Sequence, residues 1–141
     1  MKIKQLSIFL ENKSGRLAHI TRILGDAGIN LLALSLADSA DFGILRLIVD
    51  DVEKAQKTLK KNHVISTINE VLAVEVENKP GGLADILDAL VKKGVNVEYM
   101  YAFAEKLTGR AALILRFDDT DKALVCLQKA GMNVFSQVDL S

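Results

Sequence analysis

Two short segments of the chain carry the residues best suited to holding a small charged molecule. Asn12-Lys13-Ser14-Gly15-Arg16-Leu17-Ala18 recurs 66 positions later as Asn78-Lys79-Pro80-Gly81-Gly82-Leu83-Ala84, and Gly28-Ile29-Asn30 recurs at the same offset as Gly94-Val95-Asn96. Gly15 and Gly81 fall where an alternating apolar pattern gives way to a helical one, and the first N–H groups of a helix have no partner within it. A ligand carboxylate placed there accepts those N–H groups and meets the positive end of the helix dipole, while glycine lets backbone and ligand approach closely. A carboxamide both donates and accepts, so Asn12, Asn30, Asn78 and Asn96 suit the ammonium and the carboxylate of a zwitterion alike. One asparagine ends a strand and the other opens the next, which places both at the same end of each unit. A plainer reading stays open: the asparagines serve helix C-termini and the glycines only permit the turn.

Other chemistry finds little support. Catalysis needs a nucleophile with a base, or a paired acid and base, and no such set can be assembled. His19 sits beside apolar Ile20 on a helical stripe, where a solvated or hydrogen-bonded histidine is the simplest reading. His19, His63 and the single Cys126 supply neither a Cys-x-x-Cys pair nor a zinc set, so no metal and no cofactor is expected. Cys126 stands between Leu124 and Leu127 in a helical run and reads as a buried structural thiol. No Gly-Lys-Ser or Gly-Lys-Thr follows either glycine turn. Lysine plus arginine equals aspartate plus glutamate at 18 each, so no net field draws in nucleic acid or an anionic membrane. No stretch of 18 apolar residues is present and the N-terminus runs straight into a strand pattern. A cytoplasmic protein is expected.

The elements that position these residues are themselves duplicated. Leu6, Ile8 and Leu10 map at the 66-residue offset onto Leu72, Val74 and Val76, and Leu17, Ile20 and Leu24 onto Leu83, Ile86 and Leu90. The offset then lengthens to 68, aligning Asp50-Asp51 with Asp118-Asp119 and Leu59 with Leu127. Period-two and period-3.6 patterns predict strands over 5–12, 30–37, 43–50 and 64–68 and helices over 15–27 and 51–61 in the first copy. In the second they predict strands near 71–78, 96–104, 110–118 and 133–139 and helices near 81–93 and 120–130. Gly28 is placed to stop the first helix in a left-handed cap, and Asp50 or Asp51 to start the second. The order βαββαβ, twice, is an α+β arrangement of two tandem ferredoxin-like sandwiches, each an antiparallel sheet with both helices on one face. The domains are expected to be 1–69 and 70–141, joined directly at Asn69-Glu70.

RNA-recognition modules share this topology but stack bases on aromatic central strands. Here the central strands read Leu45-Arg46-Leu47-Ile48 and Leu113-Ile114-Leu115-Arg116. Tyr99, Tyr101 and Phe103 alternate toward one face, as core or interface residues do. Leu31 to Leu36 looks apolar on both faces, which implies that a second protein surface, most simply another copy of this chain, covers part of the sheet.

The loop Asn-Lys-Pro-Gly-Gly-Leu-Ala between strand and helix, followed by Gly-Val-Asn opening the next strand, resembles the ACT domain, a small module that binds amino acids and regulates metabolic enzymes. The resemblance spans two tandem copies, from Lys4 to about Glu70 and from Val71 to about Leu140. It implies that the glycine loop and the strand-opening asparagine line an effector pocket, commonly at an interface between two domains. By that resemblance the roles fall on Asn12, Gly15 and Asn30 and on Asn78, Gly81 and Asn96, with Lys13, Ser14, Arg16, Leu17, Lys79, Pro80, Gly82 and Leu83 completing the loops. Some members carry a polar side chain two residues before the loop asparagine, where this chain has Leu10 and Val76. Ser14 replaces the usual proline and Arg16 a small or aliphatic residue, so unequal sites are expected. The function implied is a regulator or sensor that binds a free amino acid and acts in trans on an enzyme of amino-acid metabolism, as a homodimer. A protein-interaction module without any small ligand is the alternative.

Overall fold

The computed structural model describes residues 1–11, 13–38, 41–103 and 110–140. Its contacts divide into two compact units, Lys4–Asn69 and Glu70–Leu140, the latter joined by Met1–Ile3. Lys2 explains that last grouping, because its ammonium lies 2.7 Å from Asp121 and 3.6 Å from Glu70.

In the first unit β1 (Ile3–Glu11) leads into α1 (Arg16–Asp26), β2 (Leu31–Asp38), β3 (Phe42–Val49), α2 (Val52–Lys61) and the start of β4 (Ser66–Glu77). The strand order is β2-β3-β1-β4, which leaves β2 at an edge. The second unit continues from the rest of β4 through α3 (Gly82–Val91), β5 (Val97–Phe103), β6 (Arg110–Phe117), α4 (Thr120–Lys129), β7 (Val134–Phe135) and α5 (Gln137–Leu140). There β4 pairs with β6 and β7, and β6 with the edge strand β5, all antiparallel. This is the α+β, ferredoxin-like pattern the sequence predicts.

Each unit has its own core. Leu6, Ile8, Leu45, Leu47 and Val49 meet Ile20 and Leu24 of α1 and Ala55 and Leu59 of α2. Leu72, Val74, Leu115 and Phe117 meet Ile86, Leu90, Ala123 and Leu127 in the same way. Cys126 is buried in the second core and its Sγ–H donates to the Ala89 carbonyl across the helix pair at 3.2 Å, a structural thiol.

Local signals account for the helix ends. At the foot of α1, Gly28 has φ 76° and the Ile29 N–H donates to the Leu24 carbonyl at 3.0 Å, closing a Schellman motif. The aspartate doublets resolve in favour of their second members: Asp51 accepts from the Lys54 N–H at 3.1 Å and Asp119 from the Lys122 N–H at 3.0 Å. After α2 the left-handed position goes to His63, at φ 62°, with the Val64 N–H bonded to the Leu59 carbonyl at 2.9 Å. Gly131 stands at the equivalent place after α4. A side chain there costs about 1–2 kcal/mol, partly offset by the extra chain freedom glycine loses on folding. His63→Gly is therefore expected to stabilise the protein by about 0.5–1 kcal/mol, read as a higher urea midpoint at unchanged slope.

Two strand predictions need correction. The predicted strands 64–68 and 71–78 are one strand, β4. Asn69 and Glu70 continue it because their polar groups are met from the sides: Ser7 Oγ–H donates to Asn69 Oδ1 at 2.7 Å, and an Arg116 Nη–H donates to the Glu70 carbonyl at 2.6 Å. The predicted strand over 133–139 stops after Val134–Phe135, and α5 follows. Ser136 and Asp139 form a capping box, with the Ser136 N–H donating to Asp139 Oδ2 at 2.8 Å and the Asp139 N–H returning to Ser136. That backbone hydrogen bond holds the Asp139 carboxyl below its usual range.

Candidate functional site

The two glycine turns are built alike. Gly15 has φ 88° and Gly81 φ 84°, each the residue before a helix that no side chain caps among the described residues. Their carbonyls accept from the His19 and Asp85 N–H groups at 2.9 and 3.0 Å, so the helix begins at once. A left-handed residue at this junction is why both copies keep glycine. Lys13, Ser14, Gly15, Arg16 and Leu17 are exposed on the first turn, and Asn78, Lys79, Pro80 and Gly81 on the second; Gly82 is buried and Leu83 half-buried. Asn12 lies outside the described residues.

Each turn also carries an ion pair. Lys13 lies 2.9 Å from Glu11, and Lys79, its counterpart, 2.8 Å from Glu77. The hydrogen bond from Lys13 lowers the Glu11 carboxyl, and the one to Glu77 raises the Lys79 ammonium. In the first turn Arg16 adds a second cation 3.8 Å from Glu11. In the second, Gly82 holds that place with its backbone against the strand end: a β-carbon there would fall inside van der Waals contact of the Glu77 carbonyl oxygen. Beside it opens a cleft of about 280 Å³, lined by Lys79 and Gly82 together with Glu75, Glu77, Asp85 and Asn133. Asn133 Nδ2–H donates to Glu75 at 2.7 Å.

Asn30 and Asn96 are placed differently from the sequence expectation. Glu11 pairs with Phe42 and Asp38 with Gly43, whereas Leu31 pairs with Val49. The Gly15 turn therefore stands at the hairpin end of the sheet and Asn30 at the other, roughly 25 Å away along β2. The cause is the βαβ path: a helix that runs back along the sheet delivers the chain to the opposite end. The same path separates Gly81 from Asn96.

Asp50, a candidate helix cap by its sequence position, and Asp118, its counterpart in the second copy, stand beside these asparagines. The Asn30 N–H donates to Asp50 Oδ1 at 3.1 Å and the Asp50 N–H to the Asn30 carbonyl at 3.2 Å. Asn96 and Asp118 repeat the pair at 3.0 and 3.2 Å. The signal was the doublet Asp50-Asp51, matched by Asp118-Asp119.

The apolar face of β2 also needs correcting. A register shift between Leu31 and Ala33 puts Leu34 opposite Leu47 and Leu36 opposite Leu45, on the helix side with the core. They remain 53% and 48% exposed because β2 is the edge. The opposite side of β2 carries Ala33, Ser35 and Ala37. Further along that side of the sheet, Phe9 and Phe42 are exposed with ring centroids 5.7 Å apart. Tyr99 and Tyr101 share one side of β5 and are half-buried.

The ACT domain pair family matches residues 1–141, and the chain belongs to it. ACT domains are regulatory modules that commonly bind amino-acid effectors and oligomerise. Protein BT0572 from Bacteroides thetaiotaomicron is 46% identical over 99% of this chain and 96% of its own, with a TM-score of 0.94. The regulatory subunit of aspartate kinase from Thermus thermophilus, in its ligand-free form, is 16% identical over 90% of this chain and 91% of its own, with a TM-score of 0.63. Its counterpart from Thermus flavus is 16% identical over 91% and 92%, with a TM-score of 0.62. At such identity the likeness is one of fold. Among curated proteins none matches. Among the described residues no group of three or more His, Cys, Asp or Glu is placed to hold a metal ion, and no helix is long and apolar enough to cross a membrane.

Proposed function

We propose that the chain is a cytoplasmic regulatory protein that binds a free amino acid at its glycine turns and acts in trans on an enzyme of amino-acid metabolism. The observation that carries this reading is the twofold occurrence of a left-handed glycine opening an uncapped helix beside a lysine. The solved regulatory subunits of aspartate kinase, which share the fold, give this reading a precedent. Because the Gly15 turn and Asn30 lie at opposite ends of one unit, a pocket that uses both needs two units. Antiparallel pairing of β2 with β2 of a second protomer sets the start of one strand beside the end of the other, and so brings one protomer's Asn30 toward its partner's Gly15 turn. A homodimer is thus part of the proposal.

The exposed Phe9–Phe42 pair favours a second reading, an interaction module with purely structural turns. A melting screen against the twenty L-amino acids separates the two. A ligand that binds only the folded state contributes about 2.7 kcal/mol at a hundredfold excess over Kd, a rise of about 5–10 °C for a chain of this size. Gly81→Val, which strains a left-handed position although its β-carbon meets no neighbour, should reduce that rise. No rise with any of the twenty favours the interaction module.

A further inference from the structure

The aspartate doublets divide their work. Asp51 and Asp119 cap α2 and α4, while Asp50 and Asp118 each turn an oxygen to an asparagine, Asp118 Oδ1 also accepting the Asp119 N–H at 2.9 Å. Asp50 and Asp118 each accept, on one carboxylate oxygen, the backbone N–H of the asparagine that opens β2 or β5, at 3.1 and 3.0 Å, and donate their own backbone N–H to that asparagine's carbonyl at 3.2 Å. Just beyond each asparagine the sheet register shifts, between Leu31 and Ala33 and between Val97 and Tyr99. Such an irregularity re-aims the residues around it, so an anchor ahead of it decides where the asparagine side chain stands. Both asparagines are exposed, and among the described residues no hydrogen bond engages either carboxamide. A backbone held at both its N–H and its carbonyl by one residue, with its side chain left uncommitted, is an arrangement for presenting that side chain.

We infer that Asp50 and Asp118 are positioning residues of the amino-acid site, each fixing the asparagine carboxamide that the ligand meets. The inference rests on the proposed function. It does not make either aspartate a ligand contact: the carboxylate acts through Asn30 or Asn96.

The test uses the full chain and, as probe, whichever of the twenty L-amino acids most raises its melting temperature, titrated calorimetrically. Asp50→Ala with Asp118→Ala should weaken Kd by about tenfold, the scale of one lost hydrogen bond. Asp50→Asn with Asp118→Asn keeps an oxygen that accepts the asparagine N–H and should restore Kd to within about twofold of the unaltered chain. A merely structural role lowers the melting temperature of the alanine variant and leaves Kd unchanged, which overturns the inference. Should the alanine variant not fold, Asn30→Ala with Asn96→Ala, which removes only exposed side chains, must itself weaken Kd by about tenfold; unchanged affinity there overturns the inference too. If the unaltered chain binds none of the twenty, the proposed function falls and this inference with it. Binding that is insensitive to all these changes removes only the positioning role.

Discussion

Gly82→Ala is expected to destabilise the protein by about 2 kcal/mol, although helix propensity alone argues for the opposite sign. Glycine in a helix interior is about 1 kcal/mol worse than alanine, and Gly25 in α1 shows the ordinary case: a β-carbon there meets nothing within 4 Å. Gly25→Ala should therefore stabilise by about 0.5–1 kcal/mol. At Gly82 the β-carbon runs into the Glu77 carbonyl oxygen, a backbone atom that cannot rotate aside. Relief requires moving the first turn of α3 away from the end of β4, and overpacking of this kind costs about 1–3 kcal/mol. Urea unfolding of the two variants side by side decides the matter. If both shift upward, the close approach of α3 to β4 is absent in solution. The counterpart position in the first copy holds Arg16, with a full side chain. The two turns thus share a backbone conformation but not a packing.

What could be read from the sequence followed from strictly local physics. The turns at Gly15 and Gly81, the cap at Gly28, the apolar stripes of α1 and α3 and the structural thiol at Cys126 are all signalled by residue types within a few positions. The errors arose where a residue's meaning is set across the sheet. Asn12 ends one strand and Asn30 opens the next, which suggests a shared end of the unit, while the register puts β2's start beside Val49. Counting alternation makes Leu31 to Leu36 apolar on both faces, whereas one register shift after Leu31 puts Leu34 and Leu36 together on the helix side. Asn69-Glu70 reads in the sequence as the direct joint between two strands, and partners from neighbouring strands make it part of one strand, β4. Ser136 and Asp139 were a missed local signal, overridden by the analogy with the first copy.

Leu34→Glu is expected to convert the proposed homodimer to monomer. Leu34 and Leu36 stand half exposed on edge strand β2, whose outer backbone groups have no neighbouring strand in the first unit. Pairing with the same strand of a second protomer satisfies those groups and removes four leucines from water across the twofold axis, at ~25 cal/mol per Å² of apolar surface buried. A glutamate at position 34 reverses this twice, since each protomer must desolvate a carboxylate and set it near its symmetry mate. Light scattering at micromolar concentration should give twice the 15.4 kDa of one chain for the unaltered protein and that single mass for the variant. Ile65→Glu, at a side chain 83% exposed and away from β2, should leave the dimer intact. The same substitution reports on the ligand. A pocket shared between one protomer's Gly15 turn and its partner's Asn30 disappears with the dimer, so Leu34→Glu should abolish any contribution of the first copy to amino-acid binding. An unaltered chain that runs as a monomer with and without amino acids would overturn the homodimer, and a Leu34→Glu variant that stays dimeric would place its interface elsewhere. In the first case Asn30 and the Gly15 turn could not serve one ligand, because within a single unit the length of β2 lies between them.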